Sequence, residues 1–175
     1  MNYALSVLLL FTMNSHTLFD FTKNADIDAW RIVNDGVMGG LSKSGFTLNS
    51  EGHGVFSGTV SLANNGGFAS VRYRPMKTKV TDYEKVVIRL KGDGKAYQFR
   101  IKDDLGHRYS YIGSFTTSGD WQEIEIKLNT MYPAFRGRKL DIPNFSEAAI
   151  EEIAFLIGNK KNEDFELTLD KIELQ

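Results

Sequence analysis

Residues 96–102 read Ala-Tyr-Gln-Phe-Arg-Ile-Lys, a segment whose pattern indicates the fold class. Aromatic or aliphatic residues alternate in it with polar or charged ones. A period of two is typical of a β-strand that buries one face and exposes the other. The pattern recurs in 121–128 and in 165–174, whereas 86–90 and 153–157 are nearly continuous apolar runs, as expected for central strands.

Clusters of glycine, asparagine and aspartate separate these strand patterns. The pair Asp93-Gly94, between two strand patterns, is a strong signal for a β-hairpin. One short helix is predicted over 147–152, with Ser146 as its N-cap. Many short strands with regular turns predict an all-β sandwich or jelly roll. No internal repeat or linker is visible, so a single domain is expected over residues 18–175.

Residues 1–17 are predicted to be either a signal peptide or an N-terminal extension. The apolar run 3–13 has the length of a secretory signal core and is too short to span a bilayer as a helix. Against a signal, no Lys or Arg precedes Lys23 and no clear small-x-small cleavage site follows. With a cleaved signal the protein would be exported or periplasmic, and without one cytoplasmic.

Composition and motifs argue against most classes of enzyme. The chain has no cysteine, which excludes disulfides, thiolate metal sites and cysteine nucleophiles. Its three histidines are far apart, and neither a nucleophile elbow nor a phosphate loop is present. We therefore predict no enzymatic activity, no cofactor and no metal. A hydrolase that uses two of the many carboxylates is the remaining enzyme alternative. Asp20 and Asp170 are the only hints of a structural calcium, which needs more oxygens than they supply.

Charge is balanced overall but uneven along the chain. The 21 Lys and Arg nearly match the 22 Asp and Glu, so no strong global field favours nucleic acid. The segment 71–111 carries eleven basic residues against five acidic ones, whereas 120–175 carries seven against twelve. An arginine-rich sheet face beside an acidic C-terminal part is one arrangement that this distribution allows.

Strand parity gathers a polar set on one sheet face if the strands are neighbours. The set is Ser70, Arg72, Arg74, Arg89, Lys91, Gln98, Arg100 and Ser110. Such a row can bind sugar hydroxyls, an acidic segment of a partner, or internal carboxylates. Asp35 and Asp93 are the acidic residues expected to pair with these arginines, at a binding site or in an internal network. Arg136 and Arg138, on either side of Gly137, are a candidate clamp for a carboxylate or a phosphate.

Two aromatic residues, Trp121 and Tyr109, are candidates for a binding platform, although such residues commonly belong to the core. The candidate residues for binding a partner or ligand are thus Asp35, Arg72, Asp93, Gln98, Arg100 and Arg136.

Five segments of the chain form one pattern when their order and spacing are taken together. They are Trp30-x3-Asn34-Asp35-Gly36-Val37-Met38-Gly39-Gly40-x-Ser42, Asn65-Gly66-Gly67-Phe68-Ala69-Ser70-Val71-Arg72, Gly92-Asp93-Gly94-Lys95-x-Tyr97, Trp121, and Phe135-Arg136-Gly137-Arg138. In their order and spacing, these segments together resemble the complex I intermediate-associated protein 30 family. The resemblance extends from Phe19 to Ile172. The resemblance implies a galactose-binding-like jelly-roll β-sandwich, related in shape to carbohydrate-binding modules. It also implies a non-catalytic role, since mitochondrial members help to assemble respiratory complex I (NADH:ubiquinone oxidoreductase).

The expected function is therefore a non-enzymatic binding or assembly domain with a protein partner. The resemblance implies respiratory complex subunits as that partner. The alternative is a protein like a carbohydrate-binding module that binds a glycan in an exported context. Neither nucleic acid nor a stable membrane span is predicted.

Overall fold

The computed structural model describes residues 14–175. This part of the chain forms fifteen β-strands, and its helical segments are four short 3₁₀ turns at Ile27–Ala29, Asp35–Met38, Ala63–Asn65 and Leu128–Thr130. The strands are β1 His16–Asp20, β2 Trp30–Ile32, β3 Lys43–Leu48, β4 Gly54–Val60, β5 Ala69–Tyr73, β6 Thr78–Lys79, β7 Lys85–Lys91, β8 Ala96–Lys102, β9 Ser110–Thr116, β10 Trp121–Lys127, β11 Tyr132–Phe135, β12 Arg138–Lys139, β13 Ala149–Ile150, β14 Glu152–Ile157 and β15 Glu163–Leu174.

The strands form two main antiparallel sheets and a small third one. Sheet I has the order β10-β7-β15-β4-β3, with β1 also paired to β15. Sheet II has the order β12-β11-β9-β8-β14-β5-β2, and β13 pairs with β6 separately. Strands adjacent in sequence often lie in different sheets, which gives the crossovers of a jelly-roll β-sandwich. The predicted fold class is confirmed.

The hydrophobic core lies between the two sheets. Sheet I contributes Phe56, Ile88 and Leu167, and sheet II contributes Phe99 and Phe155, all fully buried. Burying a side chain of this kind is worth roughly 1.5–3 kcal/mol. The alternation that predicted the strands therefore also sorts inward residues from outward ones. In β14 all six residues are buried, which confirms a covered central strand.

The predicted hairpin at Asp93-Gly94 is wrong, because the two strands that it joins belong to different sheets. β7 lies in sheet I and β8 in sheet II, so this turn carries the chain across the sandwich. Gly94 has a φ of 82°, as a tight turn requires. Turn chemistry specifies a local reversal of the chain, but not the sheet that the next strand joins.

The predicted short helix over 147–152 is also wrong. Ala149–Ile150 forms β13, and Glu152 begins β14. Ile150 is fully buried and lies opposite Thr78 of β6. Burial of an extended segment therefore overrides a local capping signal.

The N-terminal strand β1 begins at His16, two residues before the predicted domain boundary at Leu18. It pairs with β15, so this part of the predicted extension belongs to sheet I. The apolar run 3–13, with the signal-peptide prediction, lies outside the described residues. Within residues 14–175, no helix is long and apolar enough to cross a membrane.

Candidate binding site

The outer face of sheet II collects polar side chains from adjacent strands. On β8 the core-facing positions are buried, so Gln98, Arg100 and Lys102 point away from the core. The register extends this face across the sheet, because Ala154 of β14 lies opposite Arg100 on one side and Arg72 of β5 on the other. Two arginines thus flank one small residue.

Most of the predicted polar set lies on this face. The residues that the fold brings together are Ser70, Arg72, Arg74, Gln98, Arg100 and Ser110. Arg89 and Lys91 do not join them, because both lie on β7 in sheet I. Parity assigns a residue to a face of its own strand, but it does not reveal which sheet contains that strand.

A small cavity of about 20 Å³ opens on this face. Ala154 is part of its lining, and the polar side chains around it are Ser70, Arg72, Arg100, Lys102, Ser110 and Glu152. Three of these side chains are cationic and one is a carboxylate. The cavity therefore has a surplus of positive charge.

Glu152 is the carboxylate of this cavity, and it is only 3% exposed. Its Oε1 lies 3.4 Å from Nη1 of Arg72, and its Oε2 lies 3.0 Å from Nε of Arg74. One negative charge is therefore shared by two guanidinium groups. Glu152 fell within the predicted helix over 147–152, and no local pattern in the sequence relates it to Arg72 or Arg74.

Arg100 has a neutral side-chain partner. Its Nε and Nη2 donate hydrogen bonds of 2.9 and 2.6 Å to Oε1 of Gln98. No carboxylate oxygen in residues 14–175 lies within 4.0 Å of its guanidinium nitrogens. Burial, followed by the positive charge of Arg72, lowers the pKa of Arg100 to about 10.

Lys102 adds a third cation at the edge of the same cavity. Its Nζ donates a hydrogen bond to the backbone carbonyl of His107. Burial lowers the pKa of Lys102; the charge of Glu152 opposes this effect, and Arg72 and Arg74 reinforce it. Lys102 belongs to the alternating pattern of β8, so its place on the face was readable from the sequence.

Asp35 lies elsewhere and pairs with no arginine among the described residues. It is 2% exposed and accepts hydrogen bonds from the Ser42 backbone N–H (3.1 Å) and Oγ (2.5 Å). It also accepts from the backbone N–H groups of Gly67 (2.7 Å) and Phe68 (3.2 Å). The expected pairing of Asp35 with arginines is thus wrong, because its carboxylate is enclosed by these donors.

Asp93 is likewise bound away from the arginines. Its carboxylate lies 2.7 Å from Nζ of Lys95, and it accepts 3.0 Å hydrogen bonds from Oη of Tyr97 and from the backbone N–H of Glu166. It therefore links the crossover between β7 and β8 to β15. The predicted Asp–Arg network is replaced by Glu152 on the outer face of sheet II and by these two separate clusters.

Arg136 lies in the exposed turn between β11 and β12, with a left-handed φ of 50°. Its guanidinium carbon is 5.4 Å from the ring centroid of Phe135, and that of Arg108 is 5.1 Å from the same ring. β11 is separated from β8 by β9, so Arg136 is not among the side chains that line the cavity.

The sequence matches the model of the complex I intermediate-associated protein 30 family over residues 19–169. This match covers most of the chain. The protein belongs to the complex I intermediate-associated protein 30 family.

The fold of this family member is similar to that of solved carbohydrate-binding modules. A family 11 module from Clostridium thermocellum, in complex with a β-1,3-1,4-mixed-linked tetrasaccharide, is 18% identical; the alignment covers 91% of this chain and 94% of that one, with a TM-score of 0.66. The family 11 module of the cellulosomal cellulase Lic26A-Cel5E from the same organism is 17% identical, with 93% and 95% coverage and a TM-score of 0.68. An exo-β-agarase is 12% identical over 91% of this chain and 25% of its own, with a TM-score of 0.55. At such identities the likeness shows the fold alone.

Two of the motifs that carry the family resemblance meet at Asp35. One is the segment 30–42 and the other is the segment 65–72. The carboxylate of Asp35, in the first segment, holds the backbone of the second. In this member of the family, these two motifs thus meet in a buried junction.

The two aromatic candidates do not form a common platform. Trp121 is 37% exposed on β10 of sheet I, where the guanidinium of Arg89 lies 5.3 Å from its ring centroid. Tyr109 precedes β9 of sheet II, packs against the core and stacks on the ring of His107 at 4.8 Å. They were grouped by residue type, and the fold separates them.

A metal-binding cluster of three or more acidic or histidine side chains is absent from residues 14–175. Asp170, one of the two residues considered for calcium, instead lies 2.8 Å from Nε of Arg89 and 3.3 Å from Nε2 of His53.

Proposed function

We propose that this domain is a non-catalytic binding module, and that the outer face of sheet II binds a protein partner during the assembly of respiratory complex I. The family membership supports the assembly role. The observation that carries the choice of face is the cavity lined by Arg72, Arg100 and Lys102 against the single carboxylate of Glu152. A partly buried, uncompensated positive charge is costly for folding alone and is common at binding sites.

The test is a tagged pull-down from the native organism in mild detergent, read by mass spectrometry. Three baits are compared: the wild-type protein, Arg100→Met, and Arg89→Met as a control. The control removes one positive charge from sheet I and leaves sheet II intact. We expect complex I subunits with the wild type and with Arg89→Met, and their loss with Arg100→Met. Equal enrichment with all three baits would contradict the choice of face, and no enrichment with any bait would contradict the assembly role.

Glycan binding is the second candidate, favoured by a fold shared with carbohydrate-binding modules. Gln98 and Ser110 supply neutral polar groups on the same face. A glycan array probed with the folded wild-type protein tests it. Binding to a neutral oligosaccharide that is lost in Gln98→Ala would favour this function over the assembly role.

A further inference from the structure

We infer that the cavity beside Ala154 is a carboxylate-binding site, which takes an aspartate or glutamate side chain of the protein partner. This inference rests on the proposed function, since it assigns the partner's chemistry at the proposed face.

Arg100 has no carboxylate partner among the described residues and bonds only to a neutral side chain. A guanidinium group has five N–H donors, and the neutral Gln98 side chain receives only two hydrogen bonds from it. Removing such a group from water without an opposite charge is unfavourable. Glu152 does not supply that charge, because it is bound to Arg72 and Arg74. A carboxylate from outside the domain would compensate Arg100.

The register of sheet II places two arginines within reach of one ligand group. Arg72 and Arg100 lie on strands to either side of β14, and both are opposite Ala154. Neighbouring strands are about 4.8 Å apart, so the two arginine backbones are separated by roughly 10 Å. The Ala154 side chain is a single methyl group, which leaves open space between two long side chains. A carboxylate in that space can accept hydrogen bonds from both guanidinium groups.

The cavity is large enough for a carboxylate group but not for a sugar ring. A cavity of about 20 Å³ exceeds only slightly the roughly 10–15 Å³ that holds one water molecule. It admits the tip of a side chain, whereas a pyranose ring would remain above it. A neutral sugar hydroxyl would also leave the positive charge uncompensated. Size and charge therefore both favour a carboxylate.

The binding test is an NMR titration of the full-length protein with defined probes. The probes are acetyl-Gly-Glu-Gly-amide, its Gln counterpart, glucuronate, inorganic phosphate and cellotetraose. We expect the Glu peptide to shift the Arg100 Nε–H and Ala154 methyl signals saturably, at least about tenfold more tightly than the Gln peptide. The response should disappear in Arg100→Met and persist in Arg89→Met.

Several results would overturn the inference. Equal affinity for the Glu and Gln peptides would remove the role of charge, and an unchanged response in Arg100→Met would remove the role of Arg100. Tighter binding of glucuronate or of phosphate than of the Glu peptide would replace an acidic protein segment by an acidic glycan or a phosphate ligand. Binding of cellotetraose alone would favour a neutral glycan.

A stability measurement distinguishes a binding residue from a structural one. If the role of Arg100 is to bind a ligand, the substitution Arg100→Met removes an uncompensated charge from the folded protein. It should then raise the Tm by about 2–4 °C and abolish binding. Arg89→Met should lower the Tm, because Arg89 pairs with Asp170. A lower Tm for Arg100→Met would make Arg100 structural.

A positive titration with a negative pull-down would refute the assembly role and leave the carboxylate site standing.

Ala154→Leu provides an independent variant that keeps every charge. The larger side chain fills the space between Arg72 and Arg100, so the Glu peptide should bind at least about tenfold more weakly. Unchanged affinity in a folded Ala154→Leu protein would place the carboxylate elsewhere.

Discussion

Asp35 shows how one side chain can join two segments that are distant in the sequence. Its carboxylate accepts hydrogen bonds from Ser42 on one segment and from Gly67 and Phe68 on the other. Because Asp35 is almost completely buried, water cannot readily take the place of the carboxylate. The donors around it therefore depend on this one group.

Replacing Asp35 by Ala should lower the free energy of unfolding by about 2–4 kcal/mol, because it leaves several buried donors unsatisfied. Urea unfolding of Asp35→Ala, monitored by circular dichroism, measures this change. Asp164→Ala is the matched control, since exposed Asp164 accepts a hydrogen bond from Thr59. A wild-type urea midpoint for Asp35→Ala would contradict a structural role.

Two glycines of the same motif give a second prediction. A Cβ added to Gly40 would overlap the carboxyl group of Asp35 and lie 2.8 Å from its Cβ, whereas nothing lies within 4 Å of a Cβ added to Gly36. The Asp35 carboxylate is held by its hydrogen bonds and cannot easily move. We expect Gly40→Ala to destabilise the fold by about 1–3 kcal/mol and Gly36→Ala to leave it nearly unchanged, by urea unfolding. Equal midpoints for the two variants would refute the steric argument.

At the scale of elements, the crossover from β7 to β8 depends on Asp93. Its carboxylate contacts Lys95 and Tyr97 near the start of β8 and the backbone of Glu166 in β15. Burial opposes its ionisation, but the hydrogen bonds from Lys95, Glu166 and Tyr97 outweigh this effect and lower the pKa of Asp93 below 3.8. Burial also opposes ionisation of Asp35, yet its hydrogen bonds lower that pKa below 3.8 as well.

Because folding lowers the pKa of Asp35 and of Asp93, we expect the protein to lose stability in acid. A pKa lowered on folding contributes stability that is present above the unfolded value, about 4, and is lost as the pH falls through the folded value. In Asp93→Asn, the slope of unfolding free energy against pH below about pH 4 should decrease by up to about 1.4 kcal/mol per pH unit. Urea unfolding at a series of pH values measures this slope. An unchanged slope in Asp93→Asn, equal to that of Asp164→Asn, would contradict the assignment.

The sequence predicts strands well where one face is buried. β8, β10 and β15 follow the period of two because hydrophobic burial acts along each strand locally. The same parity places Arg72, Gln98 and Arg100 outward. Local periodicity therefore accounts for the fold class and for the central part of the candidate site.

Contacts between elements explain what the sequence did not reveal. Arg89 is separated from Arg72 and Arg100 because β7 lies in sheet I, whereas β5 and β8 lie in sheet II. The periodicity of a strand carries no information on the sheet to which it belongs. Glu152 was missed because its role depends on Arg72 and Arg74, which are 80 and 78 positions away. Long-range pairing, rather than local preference, determines these features.

The nearly neutral net charge of the protein does not reveal a local excess of positive charge at the cavity. The formal net charge is −1, yet three cations surround the cavity on sheet II with one carboxylate among them. Charges in a partly enclosed cavity are screened less than charges on an open surface. An acidic partner would therefore be attracted to this face although the protein as a whole is nearly neutral.

Salt dependence should distinguish the two candidate functions. If the partner is held through a carboxylate, its affinity should weaken on the order of tenfold between about 0.05 M and about 0.5 M NaCl, because salt screens the attraction. In Arg100→Met the remaining affinity should depend less on salt, whereas Arg89→Met should behave like the wild type.

Binding of a neutral glycan involves no charge on the ligand, so its affinity should hardly change. The measurement is the dissociation constant by titration calorimetry at the two salt concentrations, with the captured partner segment or the glycan as ligand. A salt-independent affinity for a protein partner would mean that the contact is made outside the outer face of sheet II, and the carboxylate site would then have no part in assembly.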